Sequence, residues 1–241
     1  MRSPYALASE YLKLMKTEQT KERQYQVQVS LRDTKGLTRL GLVTNQVWHD
    51  DPRRLLFVLA RYKFVSKMLS GKKKVLEVGC GDAFGTRIVL QEVGEICAVD
   101  FDPVFVKDVH QRMEDKWKFE CKVHDMLAGP VEGKFDAAYS LDVIEHIGVE
   151  DEDKFVANVA RSLSDDGVLI VGTPSLQSQT YASRPSKEGH INCKDQAELK
   201  TLLLRYFKNV FVFSMNDEVV HTGFYPMAHY LFALCTGRRS H

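Results

Sequence analysis

Apolar residues along this chain follow two spacings in turn, and each spacing predicts one kind of element. The unbroken apolar run at residues 168–171 is typical of a strand buried on both faces of a parallel sheet, and the run at residues 75–78, interrupted by Glu77, is too short for a helix and predicts another strand. Apolar residues at helical spacing follow or precede such runs, as in residues 55–69, 105–117 and 155–163. Two further strands are predicted at residues 210–213 and 229–235. The pattern therefore predicts an α/β fold.

Capping signals mark the starts of several predicted helices. Asp51-Pro52 and Asp102-Pro103 each place a capping side chain before proline, Asp195 with Glu198 forms a capping box, and Ser3-Pro4 repeats the first signal. Residues 16–34 are polar and fit either an exposed helix or a flexible arm. Residues 45–50 are expected to form a loop whose Trp48 either packs into the core or covers a ligand. We predict an N-terminal helical cap or arm over residues 1–51 and a main domain over residues 52–241.

The segment from Val75 to Thr86 predicts a strand, a tight turn and a helix. Gly79 and Gly81 allow the backbone to approach a ligand closely, although a Gly-x-Gly pair fits an ordinary turn or a dinucleotide fingerprint equally well. Glu77 would repel a pyrophosphate and attract an amine. Asp100, at the end of the next predicted strand, is placed to accept hydrogen bonds from ribose hydroxyls. Together they predict a ligand with a ribose, an amine and no phosphate.

Composition and charge narrow the classes of partner. The chain has 241 residues, 44% of them apolar, and a formal net charge of +1, so no overall field favours nucleic acid or an anionic membrane. Its five cysteines are scattered without metal-ligand spacing, and several fall in predicted strands as buried free thiols. No apolar run is long enough to span a bilayer. We expect a cytoplasmic protein that holds no metal.

Three segments together resemble the class I S-adenosylmethionine-dependent methyltransferases, in particular those acting on small molecules and sugars: the Glu77-x-Gly79-x-Gly81 turn, Asp100-Phe101-Asp102, and residues 135–147. The resemblance implies a three-layer, Rossmann-like α/β sandwich with a mostly parallel seven-stranded sheet and an antiparallel last strand. It implies S-adenosylmethionine as cofactor and S-adenosylhomocysteine as product. The implied cofactor-binding residues are Glu77, Gly79, Cys80, Gly81, Asp100, Phe101, Asp125, Met126 and Leu141.

Two histidines are the first candidates for the base that removes a proton from the methyl acceptor. His190 follows Gly189 in the polar segment 175–192, which is expected to form a loop above the ligand crevice. His146 belongs to a Glu145-His146 pair that resembles one found near the methyl group in many relatives. His221 ranks third. Each of these histidines also fits a purely structural role.

The predicted function is methyl transfer to a hydroxyl, with an amine as second choice, of a polar small molecule such as a sugar, a polysaccharide precursor or a natural product. A noncatalytic regulator that binds S-adenosylmethionine is an alternative from another class. An NAD-dependent oxidoreductase is a further alternative, opposed by Glu77 and by the wide Gly81-to-Gly85 spacing. Nucleic-acid methylation is opposed by Ser140-Leu141-Asp142-Val143, which lacks the proline-rich motif of base-modifying relatives. The oligomeric state is open, and the N-terminal arm could support a homodimer.

Overall fold

A computed structural model describes residues 18–239. The chain divides between Arg39 and Leu40 into two units. The described part of the smaller unit contains a 3₁₀ turn, Arg23–Tyr25, and helix α1 (Gln26–Lys35), which buries no residue. The polar segment therefore forms an exposed helix over this range. The helix start at Ser3-Pro4 lies outside the described residues, and the predicted domain boundary after residue 51 stays a prediction.

The larger unit is built on one mixed sheet of eight strands in the order β3-β2-β1-β4-β5-β8-β6-β7. The strands are β1 (Lys74–Val78), β2 (Glu95–Asp100), β3 (Glu120–Val123), β4 (Phe135–Leu141), β5 (Leu163–Pro174), β6 (Phe207–Asn216), β7 (Val219–His221) and β8 (Tyr230–Arg238). The first five pair in parallel, and β8 runs antiparallel to both β5 and β6. The predicted fold class is confirmed. The eighth strand arises because residues after β6 turn back as the short edge strand β7.

Helices cover both faces of the sheet, because neighbouring residues of a strand point to opposite faces. The helices of this unit are α2 (Leu42–Asp50), α3 (Arg53–Met68), α4 (Thr86–Leu90), α5 (Pro103–Arg112), α6 (Glu152–Ser162), α7 (Arg184–Gly189) and α8 (Gln196–Leu204). One core joins Leu76 of β1 to buried residues of α6 and α8. The other joins Val75 to buried residues of α3, α4 and α5. This is the three-layer arrangement that the sequence predicts.

Two of the predicted capping signals are confirmed. The Asp102 carboxylate accepts the Val104 N–H at the start of α5, and Asp195 with Glu198 closes a complete capping box at the start of α8. At the start of α3 the predicted cap does not form: Pro52 itself lies at the N-cap position, and no side chain makes a capping hydrogen bond there. The two confirmed caps are local, so a few neighbouring residues determine them.

Other sequence expectations need correction. Leu163, the last residue of the helical spacing predicted over 155–163, begins β5, and the expected loop 175–192 contains a 3₁₀ turn, Gln177–Tyr181, and helix α7. Residues 45–50 belong to α2 rather than to a loop, and Trp48 is about half exposed, so its predicted burial in the core is wrong. Four of the five cysteines are buried free thiols as expected, and Cys193 is partly exposed. No helix formed by residues 18–239 combines the length and apolar character needed to cross a membrane.

The strand order reverses between β1 and β4, since β1 leads to β2 and β3 on one side whereas β4 leads to β5 on the other. At such a point the connections leave toward opposite faces and open a crevice beyond the carboxyl ends of the strands. The glycine turn follows β1 at this crevice, and Asp142 follows β4. We therefore expect the candidate site residues to lie along the carboxyl-end edge of the parallel strands.

Candidate active site

The turn after β1 depends on its glycines. Gly79 and Gly81 have φ angles of +73° and +52°, which glycine adopts without strain. The N–H groups of Gly79 and Cys80 both donate to the Val99 carbonyl, which ties the turn to β2. A Cβ on Gly79 would overlap Val143, whereas a Cβ on Gly81 would meet only Val43 within 4 Å, at 3.9 Å. The Gly81 side of the turn therefore leaves room for a ligand.

Asp100 ends β2 beside this turn and helps to hold it. Its Oδ2 accepts the Gly81 N–H at 2.8 Å, and its Oδ1 accepts the Asp102 N–H at 3.0 Å. Each carboxylate oxygen keeps a second lone pair, so a ribose hydroxyl can still donate to either one. The neighbouring Phe101 side chain is 74% exposed. Its ring offers an apolar face against which a flat base can stack.

Asp125 and Met126 follow β3 on the same edge of the sheet. Val123, the last residue of β3, pairs in register with Asp100. Asp125 is exposed, and its Oδ1 accepts the Leu127 N–H at 2.8 Å, which shapes the turn. Met126 is buried, and its carbonyl accepts the Asn158 side-chain amide at 2.6 Å. This turn therefore leaves the Asp125 carboxylate facing solvent next to the Asp100 position.

Glu77 lies inside the protein, with only 2% of its surface exposed. Its Oε2 accepts the Thr86 hydroxyl at 2.6 Å and its Oε1 accepts the Tyr62 hydroxyl at 3.1 Å. Burial raises the pKa of Glu77 to about 7, and the hydrogen bonds from the Thr86 and Tyr62 hydroxyls act in the opposite direction. Glu77 thus connects β1 to α3 and α4. Its direct contact with a ligand amine stays a prediction.

Beyond β4, an ion pair that the sequence does not reveal lines the crevice. Asp142, with a φ of +57°, follows the buried Leu141 and accepts Arg61 Nη1 with both oxygens, at 2.9 and 2.7 Å. Arg61 comes from α3 and stacks over the Tyr230 ring, 3.8 Å from its centroid. The partners are 81 residues apart in sequence and share no motif. Only the packing of α3 across the sheet brings them together.

The structure brings together the two histidines that the sequence ranks first. The rings of His146 and His190 lie 5.1 Å apart between centroids, with planes inclined by 72°. Glu145 joins them: one potential ligand atom from each of these three residues lies within 4.8 Å of the others. Glu145 is fully buried, His190 partly buried and His146 exposed. The cluster therefore extends from the core to the surface at the β4 and β5 end of the crevice.

Both histidine rings are oriented by acceptors in the segment between β5 and α8. His146 Nδ1 lies 2.8 Å from the Gly189 carbonyl, and His190 Nδ1 lies 3.0 Å from Oε1 of Gln179. Gln179 is a site residue that the sequence analysis missed, and its place inside the segment 175–192 was the available signal. Burial lowers the pKa of His190, as does the neighbouring His146. His190 is therefore neutral near pH 7.

The Glu145 carboxylate lies at the base of this cluster. Its Oε2 accepts the Thr173 hydroxyl at 3.0 Å, whereas its Oε1 is buried without a hydrogen-bond partner among residues 18–239. Burial raises the pKa of Glu145 to about 8, and the nearby Asp142 carboxylate acts in the same direction. A buried carboxylate oxygen without a donor is unfavourable, which points to a group that completes the site.

His221 lies outside this cluster. Its Nε2 is 2.9 Å from Oδ1 of Asn216 and its Nδ1 accepts the Gly223 N–H at 2.9 Å. Both ring nitrogens are therefore engaged in holding the β6–β7 hairpin. This arrangement fits the structural role that the sequence left open for His221.

Helix α2 begins against the glycine turn. The Asp82 Oδ2 accepts the Thr44 N–H at 2.7 Å in a buried hydrogen bond, and a Cβ on Gly41 would overlap the Asp82 side chain. The Asp82 Oδ1 accepts the Phe84 N–H at 3.2 Å. One carboxylate therefore links the turn after β1 to the start of α2. That α2 covers a bound ligand stays a prediction.

Comparison with known families gives a match over the centre of the chain. Residues 76–171 match the family described as methyltransferase domain. The match begins in β1 and ends in β5, so it contains the glycine turn, Asp100, Asp125 and the Glu145-His146 pair. His190 lies beyond it.

Two curated relatives extend this comparison. A probable S-adenosylmethionine-dependent methyltransferase of Mycobacterium tuberculosis is 31% identical over 134 residues, which cover 55% of this chain and 47% of that protein. An O-methyltransferase of ubiquinone biosynthesis from Xanthomonas oryzae pv. oryzae is 28% identical over 153 residues, 61% of this chain and 63% of that protein. The chain thus spans about half the length of the first relative and somewhat more of the second.

Among solved structures, the N-methyltransferase NodS of Bradyrhizobium japonicum, in complex with S-adenosyl-L-homocysteine, resembles this fold with a TM-score of 0.57. The similarity covers 79% of this chain and 90% of that protein at 18% sequence identity. At this identity the likeness concerns the fold, and it extends over most of the larger unit.

Proposed function

Because the chain carries a class I S-adenosylmethionine-dependent methyltransferase domain of Rossmann-like fold, we propose that it transfers a methyl group from S-adenosylmethionine to a hydroxyl of a polar small molecule. The observation that carries this proposal is the arrangement along one edge of the sheet. The residues suited to the donor lie at the ends of β1, β2 and β3, and the cluster of Glu145, His146 and His190 lies beyond β4 and β5.

The donor half of the site fits the adenosine part of S-adenosylmethionine. Gly81 leaves space at the turn, Asp100 retains lone pairs for the ribose hydroxyls, and Phe101 offers an exposed ring for the adenine. Asp125 is the proposed partner of the adenine amino group, and Leu141 marks the strand end nearest the methionine part. The Asp100 and Asp125 carboxylates accept backbone N–H groups of their own turns, which holds these turns in place.

The acceptor half must orient a hydroxyl and let its proton leave. Bound S-adenosylmethionine supplies a methyl group on a positively charged sulfur, and in-line attack by the hydroxyl oxygen breaks the C–S bond, whose electrons stay on sulfur. Correct placement of the reactants contributes roughly 7–11 kcal/mol. We assign activation of the hydroxyl to His190 and His146, whose oriented rings face each other at the end of the crevice.

A polar acceptor is favoured by the segment between β5 and α8. It contributes Gln179 and His190 to the site and carries the charged residues Arg184, Lys187 and Glu188 nearby. A hydroxyl is favoured over an amine because one relative is itself an O-methyltransferase. The preference for a sugar or natural product rests on this polarity and on fold-level analogy.

Calorimetry with S-adenosylhomocysteine and NAD tests the donor, and release of S-adenosylhomocysteine in the presence of hydroxylated metabolites and nucleotide sugars tests the reaction. We expect S-adenosylhomocysteine to bind and NAD not to bind. We also expect release of S-adenosylhomocysteine with at least one hydroxylated acceptor. Binding of NAD but not of S-adenosylhomocysteine would overturn the proposal. Binding of S-adenosylmethionine with no turnover across hydroxylated and amine acceptors would instead favour a noncatalytic regulator.

A further inference from the structure

A carboxylate and two imidazoles converge at the acceptor end of the crevice, and their arrangement suits a cation. We propose that Glu145, His146 and His190 bind a divalent transition-metal cation. The sequence predicts no metal because no group of candidate ligands at metal-binding spacing stands out, and His190 lies 45 and 44 residues after Glu145 and His146. The fold removes that separation and brings one potential ligand atom of each residue within 4.8 Å of the others.

The hydrogen bonds of both histidines leave the nitrogen that a metal needs. A carbonyl oxygen can only accept, so His146 Nδ1 carries the proton toward the Gly189 carbonyl, 2.8 Å away. The amide oxygen of Gln179 fixes His190 in the same way, at 3.0 Å from Nδ1. Each Nε2 then carries no proton, and its lone pair is available to a metal. Metal-binding histidines typically give their other N–H to a carbonyl or carboxylate in this manner.

Glu145 provides independent support. Its side chain is fully buried, and Thr173 donates to only one of its oxygens, at 3.0 Å. The other oxygen, Oε1, has no hydrogen-bond partner in the described part of the chain. Leaving such an oxygen unpaired is costly, and a cation coordinated by it removes the cost. The unpaired carboxylate oxygen therefore belongs to a site that the protein side chains alone do not complete.

The set of donors and their exposure indicate the kind of metal and its use. Two imidazoles and one carboxylate suit divalent transition metals, with zinc and iron as familiar examples. Metal–ligand bonds of about 2.1 Å place ligand atoms roughly 3–4 Å apart, so the side chains need to close by about 1 Å. His146 is exposed. Coordination positions on its side can therefore take water or the acceptor oxygen.

The role of the ion in the reaction rests on the proposed function, whereas the binding of the ion does not. A hydroxyl bound to a divalent cation loses its proton more easily, and the proton leaves to water. In that case His146 and His190 activate the hydroxyl as ligands of the ion, in place of accepting its proton themselves. Binding of the ion itself can be tested without an acceptor.

The test uses the full chain without an affinity tag, stripped with a chelator and titrated with Co²⁺ while visible absorption is recorded, and then with Zn²⁺ in a calorimeter. We expect one ion per chain and absorption typical of nitrogen and oxygen ligands. His190→Ala and Glu145→Gln should each weaken binding at least about 10-fold, by analogy with losses at metal sites. His49→Gln, which changes an exposed histidine of α2, is the matched control and should bind as the wild type does.

His146→Ala serves as a further variant, because its exposed side chain can be removed without opening the core. The inference is overturned if the wild type takes up no more Co²⁺ than the His190→Ala chain, or if all variants bind equally. Binding of S-adenosylhomocysteine, measured on the same stripped protein, separates the two proposals. If it binds and Co²⁺ does not, the metal site alone is wrong. If Co²⁺ binds and S-adenosylhomocysteine does not, the metal site stands and the proposed function fails.

Discussion

Asp100 combines two tasks, because its carboxylate shapes the glycine turn and faces the proposed ribose. We expect Asp100→Ala to lower the affinity for S-adenosylhomocysteine at least about 100-fold, since two charge-assisted hydrogen bonds are lost. The same change leaves the N–H groups of Gly81 and Asp102 without their acceptor, which costs about 1–3 kcal/mol of stability. Calorimetry and urea unfolding measure the two effects.

Asp102→Ala is the matched control for that experiment. It removes the hydrogen bond that caps α5, at 2.8 Å from the Val104 nitrogen, and should cost about 1 kcal/mol of stability. Its affinity for the ligand should stay close to that of the wild type. Equal losses of affinity in both variants would assign the effect of Asp100 to folding rather than to contact with the ribose.

Glu77 should make stability depend on pH. Burial raises its pKa from 4.5 to about 7 in the folded protein, so the folded chain holds a proton that the unfolded chain releases within that window. The Glu77 contribution to stability therefore falls by about 3 kcal/mol as the pH rises from about 4.5 to 7. Glu145, whose pKa burial raises to about 8, adds a fall of the same sign that continues to about pH 8. Glu77→Gln should flatten this part of the profile, measured by urea unfolding between pH 5 and 8.

Glu95→Gln gives the comparison, because Glu95 is an exposed carboxylate at the start of β2. It should keep the wild-type profile between pH 5 and 8. A Glu77→Gln chain whose stability falls as steeply as that of the wild type would show that other groups produce the dependence.

At the scale of elements, α2 is capped from a distance. Gly41 at its N-cap has no side chain, and the Asp82 carboxylate supplies the missing acceptor for the Thr44 N–H. Asp82→Ala should therefore destabilise the larger unit by about 1–2 kcal/mol. Faster amide exchange at the start of α2 should accompany the loss.

Asp82→Asn keeps an oxygen at the same position and should retain most of the cap. If Asp82→Ala and Asp82→Asn lower stability equally, the hydrogen bond to Thr44 does not carry the effect. If neither variant alters exchange in α2, the helix is held by its buried Val47 and Thr44 instead.

The segment between β5 and α8 shows what local patterns miss. Its Ser183-Arg184-Pro185 start carries the same capping signal as α5, and the Ser183 side chain does cap α7. Six helical residues give too little periodicity to detect a helix in a polar segment. Its position is fixed by contacts with remote residues, including the hydrogen bond from the Asn192 N–H to the Glu145 carbonyl at 2.9 Å.

At the scale of the whole molecule, the two possible domain boundaries make different predictions. A chain that begins at Leu40 keeps the entire larger unit. It should unfold cooperatively and bind S-adenosylhomocysteine as the full chain does. A chain that begins at Pro52 lacks α2 with its buried Thr44 and Val47, and should be less stable by about 2–5 kcal/mol. Thermal unfolding with and without ligand measures both.

Equal stability of the two truncated chains would support the boundary after residue 51 that the sequence predicts. A chain beginning at Leu40 that fails to fold would mean that the larger unit depends on the residues before it. The full chain is the reference in each measurement.

Most of the fold follows from the sequence because its signals are local or periodic. The alternation of apolar runs and helical spacing gives the α/β class, and the strand ends locate the turn at Gly79 and the carboxylate of Asp100. The edge strand β7 and the helix α2 escaped prediction. β7 has only three residues, too few to show a periodic pattern. The cap of α2 comes from Asp82, 38 residues from Thr44 in sequence, so no local signal marks it.

The sequence by itself determined the class of the domain and led to the residues proposed for the donor half, because strand ends and glycine turns carry their chemistry within a few residues of one another. Only the tertiary structure decided the acceptor half. Arg61 meets Asp142 across 81 residues, and His190 meets Glu145 and His146 from the far side of β5. Contacts of that kind depend on how helices and loops pack on the finished sheet. The pattern of residue types along the chain does not specify the spatial distance between residues so far apart in sequence.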